Sequence, residues 1–304
     1  MAAVWEEGNV VYMEQKRIVV VGLGLIGGSM AMALQGFEDY EVVGVVRSAS
    51  TYQKAVERRA AHRVTYDAAA ELPGADVVIL AQDPQGIVSF LEEHRNRFQP
   101  GSVIVDVCGV KRAIVEGAKC LPEHVDFIGC HPMAGKEVSG IDNAEAGLFR
   151  NTHFIMTPTP DVSDEHVELV ERMARFCQFR DVIHTTPERH DEMIAYTSQL
   201  MHIIALSVCD DEELFSCRGF EGGSFRDCTR VAALDVPLWT QLFSLNREAL
   251  SQTVRRLEGR LAAYRRAIET DDRELLAAML THSAARKKLM NLEQARGDDV
   301  RNSF

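Results

Sequence analysis

RIVVVGLGLIGGSMAMAL, residues 17–34, decides the fold. A nearly continuous β-branched run leads into Gly22-x-Gly24-x-x-Gly27, and an Ala/Met/Leu-rich helical pattern follows. Gly22 suits a tight turn, Gly24 lets backbone approach a pyrophosphate, and Gly27 lets the helix pack close to the strand. The helix N-terminus then offers N–H donors to the anion. Leu23, Leu25 and Ile26 fill the loop between these glycines. Strand before, helix after and a further strand about 20 residues on is the context that a dinucleotide fingerprint requires.

Outward from this stretch, similar runs recur: EVVGVV (41–46), DVVILA (76–81), SVIVDV (102–107), DFIGC (126–130), HFIMTP (153–158) and DVIHTT (181–186). Most are continuous rather than alternating, as expected of strands covered on both faces. Helical patterns lie between them, which predicts an α/β fold: a Rossmann-type doubly wound, mainly parallel sheet. After Thr186 the β texture stops. Pro187 is placed to open a helix running to about Cys209. Leu250, Val254, Leu257, Leu261, Tyr264 and Ile268 form one stripe on a long helix. The expected division is an N-terminal tail (1–15), a nucleotide-binding domain (16–185) and an all-α domain (186–304). Residues 1–12 read as a tail, with Met13 an alternative start.

The second strand ends in Val46-Arg47-Ser48, where an NAD site would place an acid for the ribose 2′-OH. Arg47 can pair with a 2′-phosphate and Ser48 can add a hydrogen bond. NAD(P) is therefore the expected cofactor, with NADP favoured; a solvated Arg47 with NAD is the alternative. Ala81, at the end of the DVVILA run, and Cys108 and Lys111, after SVIVDV, complete the expected cofactor site. Cys108 reads as a small packed thiol rather than a nucleophile.

Composition excludes several classes. The 304 residues carry 33 Lys+Arg against 45 Asp+Glu, a formal charge of −12. That is unsuited to non-specific nucleic-acid binding, which rests on cationic contacts to phosphate. Seven cysteines without a C-x-x-C pair suggest neither a disulfide framework nor a metal site, and suit a reducing cytoplasm. The N-terminus lacks an apolar signal core. No stretch approaches the ~18 apolar residues of a membrane span.

Four further stretches carry chemistry: VDVCGVK (105–111), GCHPMAGKEVSG (129–140), TSQLMH (197–202) with RHDE (189–192) upstream, and GGSFRDCTRVAALDVPLW (222–239). With the glycine loop, they resemble the prephenate/arogenate dehydrogenase family of tyrosine biosynthesis over about residues 17–291. The resemblance implies NAD(P)-dependent oxidation and decarboxylation of prephenate or arogenate, and a homodimer built on the helical domain. It places a catalytic histidine at His131. The residues agree, because His131 follows a strand end and an imidazole is a suitable acceptor for a hydroxyl proton. A structural histidine before Pro132 is the alternative from the residues alone. By resemblance His202 contacts substrate, with Ser198 one turn earlier on the same side. Arg230 is expected to bind a substrate carboxylate, since a guanidinium does so bidentately. Asp227 is expected to pair with Arg230 or near Glu137 and gate the site. Gly223, with Gly222, would let backbone approach the substrate, and Trp239 matches a tryptophan that reaches the partner subunit's site.

The chain departs from the family at Cys108-Gly109, where Gly-Ser is usual. Met201 replaces a proline, Ser224 a glycine, and Gln82-Asp83 an apolar-Pro pair. Two other readings compete. A β-hydroxyacid dehydrogenase of the same architecture would need a lysine on the helix after Pro187, and residues 187–209 contain none. A non-catalytic NADP sensor would keep the glycine loop without needing His131, His202 and Arg230 together.

Overall fold

The computed structural model describes residues 15–293 in full, together with the backbone of residues 2–6, 9–13 and 294–301. Ala2–Glu6 (β1) and Asn9–Met13 (β2) pair antiparallel, so the segment expected as a plain tail carries a hairpin; Met1 lies outside the described residues.

The main sheet begins with β3 (Arg17–Val21), followed by α1 (Leu25–Ala33), β4 (Glu41–Val45), α2 (Ala49–Glu57), β5 (Arg63–Thr65) and α3 (Ala68–Glu71). The chain then returns through β6 (Val77–Leu80), α4 (Pro84–His94), β7 (Val103–Asp106), α5 (Arg112–Ala118) and β8 (Asp126–Pro132). Three elements close the sheet: β9 (His153–Pro158), α6 (Asp164–Phe176) and β10 (Asp181–His184). The strand order is β10-β9-β8-β7-β6-β3-β4-β5, and every neighbouring pair is parallel except β8–β9.

Residue alternation explains the continuous apolar runs. Ile18 and Val20 face one core with Met30 and Leu34, whereas Val19 and Val21 face the other with Leu72, Ile87 and Leu91. Both faces are covered, so both sets must be apolar. Each such side chain contributes about 1.5–3 kcal/mol on burial. Strand order reverses between β3 and β6, and their C-terminal ends open the crevice where ligands of such sheets bind.

After β10 the chain is helical: α7 (Pro187–Ile194), α8 (Leu200–Cys209), α9 (Gly223–Thr229), α10 (Val236–Leu245), α11 (Arg247–Glu269) and α12 (Arg273–Arg301). Thr186 caps α7 by accepting the Arg189 N–H, with Pro187 at its first turn. Asp235 caps α10 by accepting the Leu238 N–H. A wide π-turn at Ala195–Gln199 joins α7 to α8, within the span expected as one helix.

Two compact units emerge, residues 1–250 and 251–304. The first runs on past residue 185: Asp191 of α7 accepts the Lys111 and Arg112 amides after β7, and Asn246 at the end of α10 bonds to the Asp191 carbonyl. Within the second, Thr253 and Ala267 are buried, whereas Leu261 and Ile268 of the predicted stripe are exposed.

Candidate active site

A cavity of ≈ 1100 Å³ lies in the first unit, lined among others by Gly24, Ile26, Ala81, Cys108, His131 and His202. The strand ends supply one wall. Gly22 has φ +95°, and a Cβ there would meet the Ala81 carbonyl oxygen at 2.9 Å. At Gly27 a Cβ would lie 2.0 Å from the Gly22 oxygen. Both positions therefore need glycine. A Cβ on Gly24 would meet nothing within 4 Å, and no side chain caps α1 there. The first N–H groups of α1 are left for an anion in the cavity. Beside this loop, Gln82 Oε1 is buried with no hydrogen-bond partner among the described residues. It is an acceptor suited to a hydroxyl or amide donor, so the loop fits a bound dinucleotide.

His131 sits half-buried at the end of β8 and faces the cavity. Its Nδ1 lies 2.9 Å from His190 Nε2, and His190 Nδ1 lies 2.8 Å from Asp191 Oδ1. Burial pushes His131 well below the ordinary imidazole value, with further lowering from His190 and the Lys111 ammonium. It stands neutral at physiological pH. On α8, His202 donates Nδ1–H to the Val231 carbonyl at 2.8 Å, and its ring centroid is 3.7 Å from that of Trp239. Burial also lowers His202. Ser198 and His202 both line the cavity despite the π-turn between α7 and α8. Trp239 lines the pocket of its own chain.

Other expected residues take different places. Lys111 is fully buried: Nζ pairs with Asp106 and donates to the Cys130 carbonyl at 2.6 Å. It shapes the loop after β7 and is not free to touch a cofactor. Leu23 is buried against Gly44, so its side chain belongs to the core. The Ser48 hydroxyl caps α2, accepting the Thr51 N–H at 3.1 Å and contacting the Thr51 hydroxyl at 2.9 Å. Arg47 is exposed at the end of β4. Arg230 is exposed and itself outside the cavity lining, next to the lining residue Val231, and pairs with the lining residue Glu137 rather than with Asp227. Asp227 and Gly223, on α9, are exposed and outside the cavity lining. Burial raises the Cys108 thiol to about 11, so it is no nucleophile near neutral pH.

Sequence reasoning quoted RHDE but assigned nothing to His190 and Asp191, which are 1% and 2% exposed. The signal was their spacing: each lies four residues before a buried residue, Ile194 or Ala195, on the inward face of α7. Two buried amides, Gln199 and Asn246, were also missed. Asn246 Nδ2 lies 2.8 Å from both the Asp191 carbonyl and Gln199 Oε1. Among the described residues, no group of three His, Cys, Asp or Glu is placed to hold a metal ion. No helix among them is long and apolar enough to cross a membrane.

A dinucleotide loop at a topological switch point, with a neutral histidine on a neighbouring strand end, defines a Rossmann-type oxidoreductase. Residues 30–181 match the family model of the prephenate dehydrogenase nucleotide-binding domain, and residues 186–282 that of the prephenate dehydrogenase dimerization domain. The chain belongs to the prephenate dehydrogenase family. It is 31% identical to the prephenate dehydrogenase of Lactococcus lactis subsp. cremoris over 80% of this chain and 68% of that one. It is 28% identical to the cyclohexadienyl dehydrogenase of Zymomonas mobilis over 86% of this chain and 91% of that one. Among solved structures, Synechocystis arogenate dehydrogenase superposes with a TM-score of 0.77 at 28% identity, covering 90% of this chain and 99% of that one.

Proposed function

We propose that this oxidoreductase converts prephenate or arogenate, with NAD(P), to 4-hydroxyphenylpyruvate or tyrosine and CO2. The observation that carries the reading is a neutral His131 in the same cavity as the uncapped start of α1. The names of the related dehydrogenases agree on a cyclohexadienol substrate. A bound nicotinamide supplies the hydride acceptor. Gly22, Gly24 and Gly27 with the start of α1 would hold its pyrophosphate.

In this reading His131 takes the ring hydroxyl proton as the carbinol carbon gives up its hydride. Loss of CO2 restores aromaticity and leaves a phenolate oxygen, which takes the same proton back. The net products are CO2, the phenol and reduced nucleotide. His202 and Ser198 line the substrate's side of the cavity. Arg230 holds a carboxylate of the substrate at the rim, in exchange for Glu137. Exposed Arg47 favours NADP, and the Ser48 hydroxyl beside it, which also caps α2, can add a hydrogen bond. The dimerization-domain match and the exposed Leu261 and Ile268 support a homodimer, and seven free cysteines suit a reducing cytoplasm.

The test is absorbance at 340 nm with prephenate and arogenate, each with NAD and with NADP. Turnover of one of the two substrates is expected, lost by ~10²-fold or more in His131→Asn while nucleotide binding stays. Turnover of neither sinks the assignment, near-parental turnover in the variant removes His131 as the base, and equal use of both nucleotides removes the role of Arg47.

A further inference from the structure

We propose that His190 and Asp191 form a buried relay behind His131, which fixes Nε2 as its basic nitrogen and carries the charge that Nε2 acquires. The proposal rests on the reading of His131 as the base.

The directions of the hydrogen bonds follow from groups that allow no choice. Asp191 Oδ1 accepts the Lys111 backbone N–H at 2.8 Å, and Oδ2 accepts the Arg112 N–H at 3.0 Å. Backbone N–H groups only donate, so the Asp191 carboxylate is held as an acceptor. His190 Nδ1, 2.8 Å from Oδ1, must therefore donate. A neutral imidazole has one N–H, which leaves His190 Nε2 as an acceptor. His131 Nδ1, 2.9 Å away, supplies the proton, and its Nε2 keeps a lone pair. The rings meet edge to face, with centroids 5.1 Å apart. Asn246 holds the Asp191 main chain from the far side, with Nδ2 at 2.8 Å from its carbonyl.

The other ionisable groups around this chain are already committed. On β7 and the start of α5, Asp106 and Lys111 pair with each other, and Cys108 is buried beside them. On β8, Cys130 is buried and its carbonyl takes the Lys111 ammonium. Arg112 extends toward Glu248, at 3.8 Å. Among the described residues, Asp191 is thus the one carboxylate bonded to the imidazole pair. On the cavity side of His131 stands Gly109, whose absent Cβ would lie 4.0 Å from His131 Cε1. Leu242 lies 3.5 Å from the same point and offers only apolar contact, so the hydrogen bond that orients the ring is the one to His190.

The proton balance closes. The substrate hydroxyl proton passes to His131 Nε2, and the Nδ1 proton passes to His190 Nε2. The cation then lies against Asp191, and His131 is neutral again. When the phenolate forms, it takes the Nε2 proton and the His190 proton returns to Nδ1. No proton is gained or lost.

His190 and Asp191 are positioning residues, so the test reads more than rate. In His190→Gln the glutamine carbonyl can still accept from His131 but cannot carry the charge. We expect kcat to fall by ~10²-fold, with KM and nucleotide affinity within about twofold and the acid limb of the kcat/KM profile displaced. His190→Leu should lose at least as much. Unchanged kcat and an unmoved limb in His190→Gln, with His131→Asn inactive, overturn the relay and leave the base assignment standing. An active His131→Asn overturns the base assignment itself. Should either His190 variant fail to fold, nitrogen NMR of the parent protein decides: a proton on His131 Nδ1 supports the relay, and a proton on Nε2 of the neutral ring overturns it.

Discussion

Arg230 and Glu137 hold each other at the pocket rim, and both side chains are largely exposed. A pair so placed is worth little by itself. It does keep a guanidinium where a carboxylate can take it over. Arg230→Ala should therefore weaken substrate binding by ~10- to 150-fold, the worth of a charge-assisted hydrogen bond, and leave nucleotide affinity alone. Titration of substrate against the two proteins checks this; equal affinities would make Arg230 a structural partner of Glu137 only. At the same scale, His131, His190 and His202 are all pushed below the ordinary value of 6.5 by burial. With His131 as the proposed base, its neutral form is the active one, so the acid limb of kcat/KM should lie well below pH 6.5. Stability has the same sign. The unfolded chain binds protons near pH 6.5 that the folded one refuses, so stability present above that pH falls as pH drops toward the folded values. Melting at pH 5.5 should come at a lower temperature than at pH 7.5.

Among the elements, the glycine loop separates packing from binding. A methyl at Gly27 would strike the Gly22 carbonyl, whereas one at Gly24 would enter open space at the uncapped start of α1. Gly27→Ala should lower both Tm and nucleotide affinity. Gly24→Ala should keep Tm and lose affinity. Thermal melts with and without nucleotide separate the two, and a normal Tm in Gly27→Ala would contradict the close approach. These glycines were legible in the sequence because spacing and flanking strand and helix agree. All seven apolar runs became strands for a similar reason, since burial on both faces leaves a continuous pattern. β5 was not legible: Arg63-Val64-Thr65 has one buried residue, and it is a strand only because it pairs with β4 at the sheet edge. The π-turn was not legible either. Nothing in AYTSQ departs from helical pattern, and the extra residue in the turn shows only in the backbone. The proposed relay was half legible: His131 had a motif, while His190 and Asp191 gained meaning only when β8 and α7 met.

At the scale of the whole molecule, the second unit carries uncovered apolar surface. Leu261, Ile268, Leu275, Leu280, Leu289 and Leu292 are all exposed in it. So much apolar helix surface in water favours association, and two-fold pairs are the usual outcome. Light scattering at micromolar concentration should give twice the mass of one chain. A single-chain mass would remove the dimer, and with it any role for Trp239 in a partner's pocket.

The reversal of direction between β8 and β9 gives His131 an unusual setting. Its backbone lies inside a ladder, paired with Ile155, and the amide of Met133 still bonds back to His153. Residues 135–140, just beyond, are all exposed and include Glu137. The proposed proton acceptor and the exposed Glu137 are thus near neighbours on the chain but belong to different timescales. Opening at the rim breaks no strand pairing and can follow each arriving substrate, while displacing His131 would require the sheet itself to come apart. Successive turnovers can therefore exchange ligands quickly without losing the alignment on which each proton transfer depends.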